Sequence, residues 1–208
     1  MEKTIKLSPP KIEGEFMQAL KSRHSSREYT SKPIDHEELS NLLWAAYGNN
    51  RQNKERKPHT FLAYKTVPSF CATYMFLNGF FVFTDKAIYK YDTDQNVLNL
   101  VKEGDYREKT GMQDFVKNAS VNIVLFSDYD IMKKYPSPHI AAMFQNDEIC
   151  MKASCFDAGY ISQNIYIYTT LHGMKSIARF AAGDEKELRS LLGLGNNFHL
   201  ILAHSIGY

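Results

Sequence analysis

Cysteine is scarce in this sequence: Cys71, Cys150 and Cys155 are the whole complement of a 208-residue chain. An odd number with no CxxC spacing does not describe a disulfide framework. The seven histidines form no HExxH and stand at no metal-ligand spacing from a cysteine, which argues against a structural zinc site. GxGxxG, GxxxxGK[ST] and GxSxG are missing, so the common nucleotide-binding and hydrolase motifs are absent. Neither sign of charge dominates, because 25 basic and 23 acidic side chains leave a net charge of +2. Nucleic acid as a main partner calls for a basic stripe, and no such excess exists. Asp147 and Asp157 have no evident partner carboxylate, so catalysis by paired acids is not indicated.

Long uncharged runs are also rare. Residues 66–84 form one, with five phenylalanines, but Pro68, Ser69, Thr73, Asn78 and Gly79 break it as a spanning helix. It reads as a loop followed by a buried strand, with no membrane association. Met1–Leu7 has no apolar core of a signal peptide. Together with the unpaired cysteines this predicts a cytoplasmic protein; the alternative is a mature form whose export signal has been removed.

What remains is globular. A chain with 44% hydrophobic and 23% charged residues can bury a sizeable core. Its length, against roughly 150 residues per domain, predicts one domain over residues 1–208. The 13 Tyr and 13 Phe suit a pocket for a flat ligand. Residues 13–22 have Phe16, Met17 and Leu20 at helical spacing. Asp35 and Glu38 make a capping box for a second helix, with a Leu39, Leu42, Leu43, Ala46 stripe and a stop at Gly48. Residues 49–58 read as a polar loop. Strands are expected at 80–83, 86–91, 96–101, 121–126 and 198–206, the second and third joined as a hairpin. Residues 129–139, with two prolines, read as a loop. Residues 140–172 contain no proline and read as one long helix, which must cross a core or a subunit interface to bury its apolar faces. Asp184 and Glu187 cap a last helix that stops at Gly193. Without regular β-α-β alternation, the class is α+β.

Arg23, His24, Ser25 and Arg27 are the sharpest local signal. Two guanidiniums four residues apart, with an imidazole and a hydroxyl between them, can surround a phosphate with charge-assisted hydrogen bonds. The plainer reading is a solvated helix terminus. Cys150 and Cys155 are candidate thiol nucleophiles, though their place in a helix with apolar periodicity favours small core residues.

Three stretches carry a wider resemblance: SRHSSREYTSKPIDHEELSNLLWAAYGNNR, GDYREKTGMQDFVKNASVNIVLFSDY, and DAGYISQNIYIYTTLHGMKSIARF followed by LILAHSIGY. In this order the chain resembles the FMN-dependent nitroreductase superfamily, most closely its thiazole/oxazole-dehydrogenase-like branch. The resemblance implies an α+β fold with a central antiparallel sheet flanked by helices, assembled as an intertwined homodimer with FMN at the interface. It implies NAD(P)H as electron donor and a nitroaromatic, quinone or similar small molecule as acceptor. Carried over residue by residue, Arg23, His24 and Ser25 meet the flavin phosphate and ribityl chain, and Arg27 lies near the pyrimidine edge of the ring. Backbone groups of Ile177, Ala178 and Arg179 lie against the other edge, and the 140–172 helix becomes the dimer core. Relatives carry a PSxxNxQ-like segment that holds the ring. Here the counterpart is Pro68-Ser69-Phe70-Cys71-Ala72-Thr73-Tyr74, which keeps Ser69 but has no Asn or Gln, and Pro58-His59-Thr60 does not supply them. That departure motivates an alternative, a non-catalytic member binding flavin or another flat ligand in the dimer cleft.

Overall fold

The computed structural model describes residues 4–50 and 65–208. Most of the polar loop at 49–58, and Pro58-His59-Thr60 with it, lie outside the described residues.

The apolar runs pair into one antiparallel sheet. Its strands are β1 (Phe80–Phe83), β2 (Ala87–Asp92), β3 (Val97–Glu103), β4 (Val121–Asp128), β5 (Lys175–Arg179) and β6 (Phe198–Gly207), in the spatial order β3-β2-β1-β4-β6-β5. β4 is buried at every position, as expected of a central strand covered on both faces. Alternation along β4 sends Ile123 and Leu125 into one core and Val124 and Phe126 into another. The first core is covered by helices α2 (His36–Tyr47) and α5 (Asp147–Leu171), the second by α6 (Glu185–Leu192). This is the α+β sheet-and-helix architecture expected from the sequence. Among the described residues no helix is long and apolar enough to cross a membrane.

The capping signals act as read. Asp35 and Asp184 each accept the backbone N–H three residues on, both at 2.8 Å, satisfying a donor the helix itself leaves open. Gly48 ends α2 for a different reason from the usual left-handed cap. Its φ of −73° is ordinary, but a Cβ there would lie 2.4 Å from Trp44 Cδ1. Helix α1 (Gly14–Ser22) forms where expected, yet it buries Ala19 and leaves Phe16 and Leu20 exposed.

Three readings need correction. The 129–139 loop contains helix α3 (Tyr129–Lys133), capped by Asp128, and the start of α4 (Pro138–Met143); Pro138 sits in the first turn, where its missing N–H costs nothing. The single 140–172 helix is two. Between α4 and α5, Phe144 is buried in the core and Asn146 accepts Glu148 N–H at 2.8 Å, restarting the helix. Strand β5 has no counterpart in the expected elements, because Lys175–Arg179 has charged ends and no continuous apolar run. Gly173, at φ 64°, makes the turn that brings β5 back beside β6 after α5.

Candidate functional site

Where α1 ends, its C-cap Arg23 still donates N–H to Ala19 O at 2.8 Å, and the chain then runs extended. The edge of β5 catches it. Ser26 N–H donates to Ser176 O at 3.0 Å, Tyr29 hydroxyl to Ser205 O at 3.3 Å, and Thr30 N–H to Tyr208 O at 2.6 Å. This pairing fixes Arg23, His24 and Ser25 at the rim where α1, α5 and β5 meet.

Tyr166, on α5, occupies the middle of that rim. Its hydroxyl shares a 2.8 Å hydrogen bond with Ser25 Oγ and accepts Ala178 N–H at 2.9 Å. The Arg23 guanidinium lies 5.0 Å from its ring centroid, within cation–π range. On the inner side the ring meets His204 of β6 edge to face, centroids 4.7 Å apart. His204 is fully buried with neither ring nitrogen hydrogen-bonded, and burial together with the Arg179 cation lowers its pKa to about 3. It is therefore a neutral ring at neutral pH.

Of the three β5 residues, only Ala178 turns its amide outward. In an antiparallel pair the backbone groups alternate between the partner strand and the free side, so the Ala178 N–H bond to Tyr166 means that Ile177 and Arg179 face β6. The Arg179 side chain leaves by the other face of the sheet. It is buried, donating to Thr110 O and Asn122 Oδ1, and burial lowers its pKa to about 10. Its side chain braces the fold away from the cluster.

Arg23 is half-buried; His24, Ser25 and Arg27 are exposed. No ion pair joins Arg23 or Arg27 to a carboxylate among the described residues. The Arg23 guanidinium beside the Ser25 hydroxyl and a strand edge, with His24 and Arg27 adjacent along the chain, makes a donor set suited to a phosphate monoester. For the phosphate end of FMN, the residues present fit.

Ser69 belongs to a separate cluster. Its hydroxyl bonds to Asp157 of α5 and accepts Tyr74 N–H at 2.8 Å, while Phe70 N–H donates to the same carboxylate at 2.9 Å. Asp157 is 1% exposed, and burial raises its pKa against the lowering effect of those two bonds. Cys150 of α5 does not show the features of an activated thiol. Cys150 is buried, donates to Phe144 O at 3.1 Å, and has its pKa raised by burial, the opposite of what a nucleophile needs. Cys155 is exposed. Among the described residues no group of His, Cys, Asp and Glu could hold a metal ion.

The sequence gives no warning of Tyr166, which stands 141 positions from Ser25. Apolar spacing along α5 does not pick out its buried face either: Ala153, Phe156, Tyr160, Asn164, Ile167 and Leu171 recur every three or four residues, yet Phe156, Tyr160 and Leu171 are exposed while Ser154, Asp157, Ile161 and Ile165 are buried.

Known proteins share this fold. A Methanocaldococcus jannaschii protein provisionally named a nitroreductase, MJ1384, is 24% identical over 201 residues, covering 92% of this chain and 91% of its own. A solved structure from Ralstonia eutropha JMP134, also provisionally described as a nitroreductase, superposes with a TM-score of 0.75 at 26% identity, covering 98% of this chain and 86% of that one. The NADPH:FMN oxidoreductase of Vibrio harveyi, solved with NAD+, shares the fold with a TM-score of 0.57 at 14% identity, over 94% of this chain and 69% of that one. The model of the nitroreductase family matches residues 20–208, and the chain belongs to that family.

Proposed function

We propose that this protein is an FMN-dependent oxidoreductase passing electrons from NAD(P)H to a nitroaromatic, quinone or similar acceptor. The observation that carries the reading is the Arg23 guanidinium, without a carboxylate partner among the described residues, gathered with Ser25 and the outward amide of Ala178 around Tyr166. In FMN the isoalloxazine supplies the hydride chemistry when bound, which explains why no acid–base pair is needed from the protein. Arg23, His24 and Ser25 would hold the phosphate, and Arg27 would offset negative charge at the pyrimidine edge. Ala178 would present backbone to the opposite edge; Ile177 and Arg179 on either side of it hold that edge in register through β6. The three sequence stretches support placement nearest the thiazole/oxazole-dehydrogenase-like branch.

The same reading makes the protein a homodimer. Phe156, Tyr160 and Leu171 leave an apolar face of α5 exposed in the single chain, a surface that a second copy would cover. Light scattering should give twice the 23.9 kDa chain mass; a monomer would remove the interface from the proposal.

The decisive experiment is the visible spectrum of purified protein before and after FMN addition and gel filtration. One flavin retained per subunit and bleached by NAD(P)H supports the assignment. Protein that refuses FMN overturns it. Arg27→Ala should lose bound flavin and reductase activity together while melting like the parent. Internal pairing of Ser69 with Asp157 favours a second reading, a family member that binds flavin without turnover; flavin retained but not bleached by either NADH or NADPH is its signature.

A further inference from the structure

We propose that Tyr166 is a positioning residue that presets the cofactor site by tying its two ends together. This rests on the FMN reading. One end is the Arg23–Ser25 segment, which leaves α1 with no regular structure of its own; the other is the free edge of β5. A single phenol reaches both: it bonds Ser25 Oγ at 2.8 Å and takes the outward N–H of Ala178 at 2.9 Å. Its ring also fixes the Arg23 guanidinium from its face, with Cζ 5.0 Å from the centroid.

The anchorage of the phenol is itself rigid. Tyr166 lies on the 25-residue helix α5, against His204, which the sheet holds in register with both Ile123 and Ala178. Thr170, one turn on, donates its hydroxyl back to the Tyr166 carbonyl at 2.7 Å, and Thr169 donates to Ile165 O at 2.8 Å. The neighbouring Ser176 hydroxyl bonds Thr169 at 2.8 Å, joining α5 to β5 a second time below the clamp. Groups that must meet a flavin phosphate and a flavin ring are thus spaced before any ligand arrives, which reduces the ordering cost of binding.

Tyr166→Phe tests the hydroxyl without removing the ring. Two hydrogen bonds are lost, so FMN should bind roughly tenfold more weakly by flavin fluorescence titration, while the melting temperature of the flavin-free variant stays close to the parent's. Riboflavin, which has no phosphate for Arg23 and Ser25 to hold, should lose less than FMN. Ser25→Ala tests the same clamp from the exposed side and leaves the core intact. If the two residues act as one unit, the double variant binds FMN no more weakly than the weaker single variant. Parent-like FMN affinity in Tyr166→Phe overturns the clamp and leaves the FMN reading standing. Tighter binding also overturns it, because the hydroxyl would then be competing with flavin for the Ala178 amide. A parent protein that takes up no FMN overturns both.

Discussion

The rim at Tyr166 and the segment at Pro68–Tyr74 both face α5, and the family resemblance assigns flavin contacts to both. They dispose of their polar groups in opposite ways. After α1, the Arg23 and Arg27 guanidiniums and the His24 imidazole have no carboxylate partner among the described residues, and their segment is held by hydrogen bonds that use the backbone and one phenol. In the Pro68–Tyr74 segment, the Ser69 hydroxyl and Phe70 N–H are both taken by Asp157, and Tyr135 hydroxyl donates to Cys71 O at 2.7 Å. Cys71, Ala72 and Tyr74 have φ of 51°, 54° and 48°, a left-handed backbone that costs such residues about 1–2 kcal/mol each. One region holds donors ready for a ligand; the other spends its donors on maintaining a strained loop. Conformational cost and ligand-binding capacity are therefore located apart, and they should respond to different substitutions.

The largest effect is expected at Asp157. Asp157→Ala leaves the Ser69 O–H and Phe70 N–H without their acceptor in a partly buried site, and should cost about 3 kcal/mol of stability by urea unfolding. A loss below about 1 kcal/mol would mean that the strained segment is held by something else. Arg23→Ala should do the reverse: FMN affinity falls by about 2 kcal/mol, the worth of a charge-assisted bond, with unfolding little changed. If its unfolding midpoint drops as far as that of Asp157→Ala, the two regions are not separable.

The pH dependence sharpens the same contrast. His204 has its pKa lowered from 6.5 to about 3 by burial and the nearby Arg179 cation, so between those values the unfolded chain binds the extra proton. Stability should fall as pH drops below about 6.5, by at most ~1.4 kcal/mol per pH unit from this group. His204→Leu should flatten that limb in acid unfolding curves. Asp157 works with the opposite sign. Its folded pKa is raised by burial, so its contribution is full below the ordinary aspartate value and lost as pH rises through the raised one. Asp157→Asn should remove that decline from urea unfolding measured across the pH range. An unchanged profile above pH 4 would show that the carboxylate is ionised in both states.

Much of the scaffold is legible in the residues themselves. Asp35 with Glu38, and Asp184 with Glu187, announce two helix starts through bonds that span three positions. The short, β-branched apolar run of residues 121–126 announces a central strand, which is buried on both faces. The RHSSR segment stands out because its donors are adjacent along the chain. What escaped notice was of another kind. The helix break at Phe144–Asn146 contains neither proline nor glycine and follows from where Phe144 finds its core pocket. Strand β5 exists because β6 is beside it. Which face of α5 is buried was likewise undecidable from periodicity, since both faces carry apolar residues.

By itself, then, the sequence determined the elements whose signals act within a turn or a hairpin: the caps, the alternating strands, the α+β class and the cationic segment after α1. Only the tertiary structure decided that Ser25, Tyr166 and Ala178 share one hydroxyl, and that Ser69 is spent on Asp157, 88 positions away. Local signals survive in the unfolded chain's own geometry. Hydrogen bonds between distant residues form only after the sheet and α5 have packed, so their partners are set by packing and leave no spacing to read.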